Sequence, residues 1–204
     1  MPITSPISAD QMRHVLDVTR LLVVTADLDL LLRRIAEAAT SLLGAERASI
    51  FLHDKPHKQL WTKIALGAKE IRIPDTAGIA GSVFQSNRLL NIPDAYSDTR
   101  FNREVDKRTG FVTRNLLTIP LPNVDHEPIG VLQVVNKIGG SFLGEDEAMI
   151  ELLAGQAGVA IQRYRLQQSA IETVERGRME EERAEVVGHP EQTRLTRRMR
   201  TGSR

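Results

Sequence analysis

The chain has 204 residues, 27 Lys and Arg against 26 Asp and Glu, and no cysteine. With 41% hydrophobic and 26% charged residues it is globular rather than disordered, and long enough for one cored domain plus extra helices. A net charge of +1 excludes a strong field for nucleic acid or an acidic substrate, and the missing cysteines exclude disulfides, cysteine-liganded zinc, Fe–S clusters, thiol nucleophiles and thioether-tethered cofactors.

Residues 1–7 carry two prolines and read as a loose lead-in without the basic start and apolar run of a leader. No apolar stretch approaches the roughly 20 residues of a membrane helix, so a cytoplasmic chain is the default expectation. Ser8 with Gln11 three residues later suggests a capping box. The helix that follows has Met12, Val15, Leu16, Thr19, Leu22 and Val23 on one stripe. Asp27 is the next expected N-cap, and Leu28, Leu31, Leu32, Ile35, Ala38, Ala39, Leu42 and Leu43 form one apolar face that ends at Gly44.

The period then changes to two. Ala48, Ile50 and Leu52 alternate with Ser49, Phe51 and His53; residues 54–58 are a turn, and Gln59–Ala65 the returning strand. Glu70–Pro74 is a short strand, Ile79–Ser86 a small helix, and Leu89–Ile92 another short strand stopped by Pro93. Residues 94–113 are a long polar connection with a helical turn near Arg103–Lys107. Strands Leu116–Leu121 and Ile129–Asn136 follow, and from Glu145 a helix runs without a breaker until Gly177. Beyond Leu166 its apolar positions thin to Ala170, Ile171 and Val174, near a seven-residue rhythm.

The strands lie too close together for βαβ crossovers. The order therefore predicts an α+β domain: an antiparallel sheet with the N- and C-terminal helices packed on one face, and a long exit helix. The expected divisions are an N-terminal extension and helix at 1–26, a domain at 27–166, a coiled-coil-like helix at 167–187, and a disordered basic tail at 188–204.

Residues 70–115 are the most unusual stretch. Ile79-Ala80-Gly81 opens a helix, whose free N–H groups and positive dipole end suit a phosphate. Asp94, Tyr96, Asp106, Thr109 and Thr113 lie on the long loop, where hydroxyls suit phosphate, ribose or base edges. One reading is a ligand lid; the other, commoner for such loops, is a polar surface segment tied down by its own caps. Lys137 ends a strand and Asp146 begins a helix, with Phe142 between them, a spacing that by itself reads as structural.

These residues together resemble a GAF domain of the cyclic-nucleotide-binding type, as in phosphodiesterase regulatory domains and bacterial adenylyl cyclases. The matching stretches include Glu70–Pro74, Gly78–Gly81, Asn91–Tyr96, Phe101-Asn102, Val105-Asp106, Thr109–Phe111, Thr113–Asn115 and Gly130-Val131. Asn136, Lys137, Phe142, Asp146 and Glu147 fit the signature of this subtype. The resemblance spans about residues 28–166, and its weight lies in the order and spacing of the motifs. It implies a base contact from Ser49, a phosphate held by the N–H groups of Ile79 and Ala80, and lid contacts from Asn102, Asp106, Thr109 and Thr113. It also implies a stabilising salt bridge between Lys137 and Asp146. Leu66 stands where guanine-selective members place a carboxylate, and Gln133 where a related domain has an acidic contact, which leans toward cAMP over cGMP.

The implied function is a regulatory sensor, not an enzyme. It binds a cyclic nucleotide without cofactor or metal and signals through a parallel homodimer to an output domain or partner, with no membrane or nucleic-acid partner. The alternative is a non-binding scaffold for dimerisation. No nucleophile–base set, P-loop or metal cluster is visible. His53 and His57 are separated by a turn containing Pro56, which breaks a helical ligand face. Trp61 reads as core or interface, and Glu145, Asp146 and Glu147 as charges suited to a helix start. Without cysteines, the bilin-attachment and methionine-sulfoxide-reducing uses of this fold are closed. The chain stops after its exit helix, so the expected output comes from a partner or from a longer protein.

Overall fold

The computed structural model describes residues 27–62 and 71–188, without the side chains of residues 108, 109 and 184–188. The helix expected near Ser8–Val23, the last residues of the strand expected at Gln59–Ala65, Leu66 and the basic tail from His189 lie outside the described residues.

Helix α1, Leu28–Leu43, starts as its sequence dictates. Asp27 accepts a hydrogen bond from the Leu30 N–H at 2.7 Å, satisfying one orphan donor of the first turn. It ends at Gly44, whose φ of 57° is left-handed and whose N–H returns to Thr40. Strands β1 (Ala45–Asp54), β2 (Gln59–Thr62) and β3 (Ile71–Pro74) follow, then helix α2 (Gly78–Ser86) and strand β4 (Leu90–Ile92). A short 3₁₀ turn at Ala95–Ser97, capped by Asp94, was not visible in the sequence pattern. Helix α3, Arg103–Thr109, is two residues longer than the turn expected at Arg103–Lys107. Strands β5 (Leu116–Pro122) and β6 (Pro128–Lys137) lead to helix α4, Gly144–Gly188.

The six strands form one antiparallel sheet in the order β3-β2-β1-β6-β5-β4. β3 and β4 thus occupy opposite edges, and the chain between them, including α2, must cross a whole face. Register separates the two faces. Ala48, Ile50 and Leu52 of β1 align with Val134, Leu132 and Gly130 of β6, which align in turn with Leu117, Ile119 and Leu121 of β5. These side chains are buried, and α1 packs along β1 and β6. Each such Leu or Ile contributes roughly 1.5–3 kcal/mol of apolar burial. The other face carries Arg47, Ser49 and Phe51 of β1 and Val131, Gln133 and Val135 of β6. Its Phe51 and Val131 pack with Ala80, Val83 and Phe84 of α2.

By internal contacts the chain divides into a unit ending at Gln162 and a second starting at Arg163. In the first, α4 buries Met149, Ile150, Leu153, Ala154, Ala157 and Ile161. In the second, its described side chains are mostly exposed, among them Leu166, Ile171, Val174 and Met179. Gly177 does not end the helix, because one glycine costs only about 1 kcal/mol among good helix formers.

Two glycines on α4 separate packing from propensity. A Cβ on Gly158 would stand 1.9 Å from the Pro122 carbonyl oxygen, whereas one on Gly155 would meet nothing within 4 Å. Gly158→Ala is expected to destabilise the domain by about 1–3 kcal/mol. Gly155→Ala is expected to stabilise it by up to about 1 kcal/mol. Urea unfolding of the two variants checks the opposite signs.

Candidate functional site

A cavity of ≈ 280 Å³ lies between the Ser49 face of the sheet, the first turn of α2, and α3 with its flanking loops. Small-molecule pockets begin at about 300 Å³, so the space is that of a compact ligand. Its floor is built by strand alternation. Ser49 of β1 is in register with Gln133 of β6, and Gln133 with Thr118 of β5. The Gln133 Nε2 donates to the Thr118 Oγ1 at 3.1 Å. Apolar groups flank this polar row: Phe51 and Val131 on one side, Val135 and Leu116 on the other.

The second wall is the start of α2. Its N-cap, Ala77, offers no side-chain acceptor, and Gly78, Ile79 and Ala80 line the cavity. An uncapped first turn presents orphan N–H groups and the positive end of the helix dipole. Gly78 has a φ of 67°, and a Cβ on Gly81 would stand 2.5 Å from the Thr76 carbonyl carbon. Both positions need glycine if the helix start is to lie against its own entry loop.

The lid closes the third side. Asn102 caps α3 by accepting from the Glu104 N–H at 3.0 Å, and Gly110 ends the helix with a φ of 69°. Asp106 is buried, at 6% exposure, and its carboxylate is hydrogen-bonded. It accepts from the Thr113 N–H at 2.7 Å, the Thr113 hydroxyl at 2.9 Å and the Tyr96 hydroxyl at 3.1 Å. Burial, then the Asp106 hydrogen bond, pushes the Tyr96 phenol above its usual range. Two guanidiniums reach the cavity. Arg47 lies 3.9 Å from the centre of the Phe111 ring, and Arg100 forks onto Asp98 at 2.9 and 2.6 Å. That hydrogen-bonded pair holds the Asp98 carboxyl below its usual range and raises Arg100.

The far end of the lid is tied to the sheet through Asn136. This residue is fully buried with a φ of 62°. Its Oδ1 accepts from the Arg114 N–H at 2.7 Å, and its Nδ2 donates to the Val112 carbonyl at 2.8 Å and to Glu46 at 2.9 Å. Glu46 also pairs with Arg114 at 2.7 Å. Asn115 accepts from the Lys137 N–H and donates to the Gly140 carbonyl. Lys137 then reaches Asp146 at 2.6 Å and the last-turn carbonyl of Leu43 at 2.7 Å. Asp146 accepts from the Leu143 N–H, so it caps α4 as well as pairing. Asn91 binds the Phe142 carbonyl and Glu147.

The model of the GAF domain family matches residues 27–161. The chain belongs to the GAF family. This GAF domain is 35% identical over 153 residues to a probable 3',5'-cyclic phosphodiesterase, pde-5, of Caenorhabditis elegans, covering 68% of this chain and 21% of that protein. It is 34% identical over 160 residues to the dual 3',5'-cyclic-AMP and -GMP phosphodiesterase 11A of Takifugu rubripes, covering 70% and 18%. The chain thus spans about a fifth of the length of these relatives. Among solved structures, the GAF domain of a phosphoenolpyruvate-protein phosphotransferase from Coxiella burnetii superposes with a TM-score of 0.70 at 19% identity, over 78% of this chain and 96% of that one. A methyl-accepting chemotaxis protein fragment gives 0.61 at 26% identity, over 74% and 98%.

The GAF fold brings most of the expected residues to one cavity. Ser49, Ile79, Ala80, Asn102, Asp106, Thr113 and Gln133 all line it. Thr109 is the last residue of α3, and its side chain lies outside the described ones. Asn136, Lys137, Phe142, Asp146 and Glu147 sit apart from it, in the junction below the lid. Arg47, Phe111 and Arg100 were missed as site residues. A period-two count from Ser49 reaches Arg47, but nothing local marks the others. His53 and His57 turn to Asp75 and Asp54 in separate pairs. Among the described residues, no group of three or more His, Asp or Glu is arranged to hold a metal.

Two measurements check the junction. Hydrogen bonds from Arg114, then Asn136, hold the Glu46 carboxyl below its ordinary value of 4.5. Its stabilisation is therefore present above pH 4.5 and lost as pH falls through the lower folded value. Glu46→Gln is expected to cost at most about 1 kcal/mol near neutrality, because the pair is partly exposed. The gap to the parent should close in acid, as read by thermal melts across pH. Lys137→Met leaves Asp146 buried without its cation and is expected to cost about 2–3 kcal/mol in urea unfolding. Adding Asp146→Asn is expected to recover part of that loss.

Proposed function

We propose that this GAF domain is a regulatory sensor for a cyclic nucleotide, with cAMP preferred to cGMP. The observation that carries the reading is the cavity itself, with an uncapped helix start facing a polar row on an otherwise apolar floor. The naming of two relatives as cyclic-nucleotide phosphodiesterases supports the ligand class. The cyclic phosphate sits against the N–H groups of Ile79 and Ala80, where the helix dipole favours an anion. Arg47 adds positive charge at the cavity wall.

The base lies on the floor between Ser49 and Gln133. The Ser49 hydroxyl and the Gln133 carbonyl oxygen match an adenine edge, which brings one amine and one ring acceptor. A guanine edge sets the O6 acceptor beside N1–H, and the Gln133 carbonyl oxygen has no donor to give O6; a buried unpaired acceptor weakens binding. Asn102, Thr109, Thr113 and Asp106 close from the lid. The domain does no chemistry of its own. Lid closure passes along Thr113–Arg114, Asn136 and Lys137 to Asp146 at the start of α4. From there it goes through a parallel homodimer to an output domain or partner in the cytoplasm. The exposed Leu166, Ile171 and Val174 on α4 support the helix pairing.

A second reading, a scaffold that dimerises without binding nucleotide, draws on one observation. Asp106, Thr113 and Tyr96 already satisfy one another.

Isothermal titration separates the two. The sensor reading expects cAMP to bind more tightly than cGMP, with Thr113→Ala weakening it about three- to tenfold through a lost hydrogen bond. No heat and no thermal shift with either nucleotide at millimolar concentration leaves the scaffold. Sedimentation is expected to give a dimer that is lost on deletion of residues 167–187.

A further inference from the structure

We propose that Thr118 is a positioning residue that sets the base preference of the cavity by holding the Gln133 amide with its carbonyl oxygen toward the ligand. The inference rests on the cyclic-nucleotide reading above and deepens it to the choice of base.

Thr118 is fully buried in the middle of β5 and does not itself line the cavity. Its cross-strand neighbours are Leu90 on β4 and Gln133 on β6. Leu116 shares its strand face, and below the row lie Phe51 and Val131. An apolar β-branched residue would suit such a position, and a buried hydroxyl is unfavourable there unless hydrogen-bonded. The hydrogen bond it makes is to the Gln133 Nε2, at 3.1 Å. Gln133 does line the cavity and stands opposite Ser49.

A glutamine side chain has three torsions and an amide that offers an acceptor from one end and donors from the other. Untethered on a cavity floor, it can turn either end to a base. With one N–H of Nε2 given to Thr118, the amide is held in one orientation: its nitrogen end, second N–H included, is turned toward Thr118, and the end offered to the ligand is Oε1, an acceptor. Beside the Ser49 hydroxyl this accepts an exocyclic amine and supplies no donor of its own to a base carbonyl. When Thr118 loses its hydroxyl, the amide is released, Nε2 becomes available, and a carbonyl such as guanine O6 gains a donor. Thr118 therefore acts on the ratio of affinities for the two bases, through Gln133 and without touching either.

The test uses the full chain with Thr118→Val, which keeps the β-branch, and Thr118→Ser, which keeps the hydroxyl. Titrations with cAMP and cGMP give the ratio of affinities. Thr118→Val is expected to shift it toward cGMP about three- to tenfold, the worth of one hydrogen bond. Thr118→Ser is expected to restore it to within about twofold. A general loss of packing would weaken both nucleotides alike and leave the ratio unmoved; that outcome, or failure of the serine to restore the ratio, overturns the proposal.

A ligand-free readout runs alongside. In the parent and in Thr118→Ser, the Gln133 side-chain amide protons should exchange slowly with water by nitrogen–proton NMR. In Thr118→Val they should exchange fast, with Thr118→Ala standing in should the valine variant fail to fold. Unchanged exchange overturns the hold of Thr118 on Gln133 even where nucleotides bind. Failure of the parent to bind either nucleotide overturns the sensor reading, and with it the assignment to base choice, whatever the amide protons do.

Discussion

The buried amide of Asn136 fastens the loop from Val112 to Arg114 onto the end of the sheet. Sitting at the end of β6 with a left-handed backbone, it keeps a backbone bond to the Asn115 carbonyl and adds side-chain bonds to Val112 and Arg114, the returning arm of the lid. Through Glu46 it reaches β1 as well. A buried amide is stable only when both of its ends are satisfied, and here both are. The arm that carries Thr113 is therefore bonded to the residue that precedes Lys137, and Lys137 to the residue that caps α4. The wall of the cavity and the root of the exit helix are thus joined by hydrogen bonds between residues adjacent in the chain, Thr113 and Arg114 at one end and Asn136 and Lys137 at the other.

The cavity exists because of how the sheet is threaded. β3 and β4 stand at opposite edges, so the chain between them spans one face. α2 does not fill that face: its apolar side covers Phe51 and Val131 and leaves the strand ends carrying Arg47 and Ser49 open beneath the lid. The opposite face, with Ile50, Leu132 and Ile119, is buried. One face is closed by packing and the other keeps a cavity. A polar row of Ser49, Gln133 and Thr118 survives only on the second, where hydrogen bonding across the strands and an open cavity relieve its desolvation.

The lid is polar yet ordered by its own groups. Asp106 draws in Thr113 and Tyr96, Asn102 starts α3 and Gly110 stops it. Apolar contacts back these bonds: Ala95 is buried with Ile79, Ile92 and Leu116, and Phe101 packs against them. Thr113 and Asp106 are both structural fasteners and cavity walls, and the same atoms serve in either role.

Much of this was legible in the residues. The Asp27 cap, the Gly44 stop, the period-two strands and the helix from Glu145 follow from local chemistry: side-chain acceptors for orphan N–H groups, left-handed glycine, alternation across a pleat. The motif order implied a GAF domain, and the matched family model bears that out. What local patterns did not carry was anything made by distant partners. The 3₁₀ turn after Asp94 is one such feature: the Ala95 N–H bonds to the carbonyl of Arg114. Arg47, Arg100 and Phe111 reach the cavity, and Thr118 reaches Gln133, only because strands far apart in the chain lie side by side and the lid folds over them. By itself the sequence determined the kinds of element and the family to which they belong, because those rest on contacts within a few residues. The tertiary structure decided which polar groups share one space and which are spent on each other, because hydrogen bonds such as that between Asn136 and Glu46 join residues 90 positions apart.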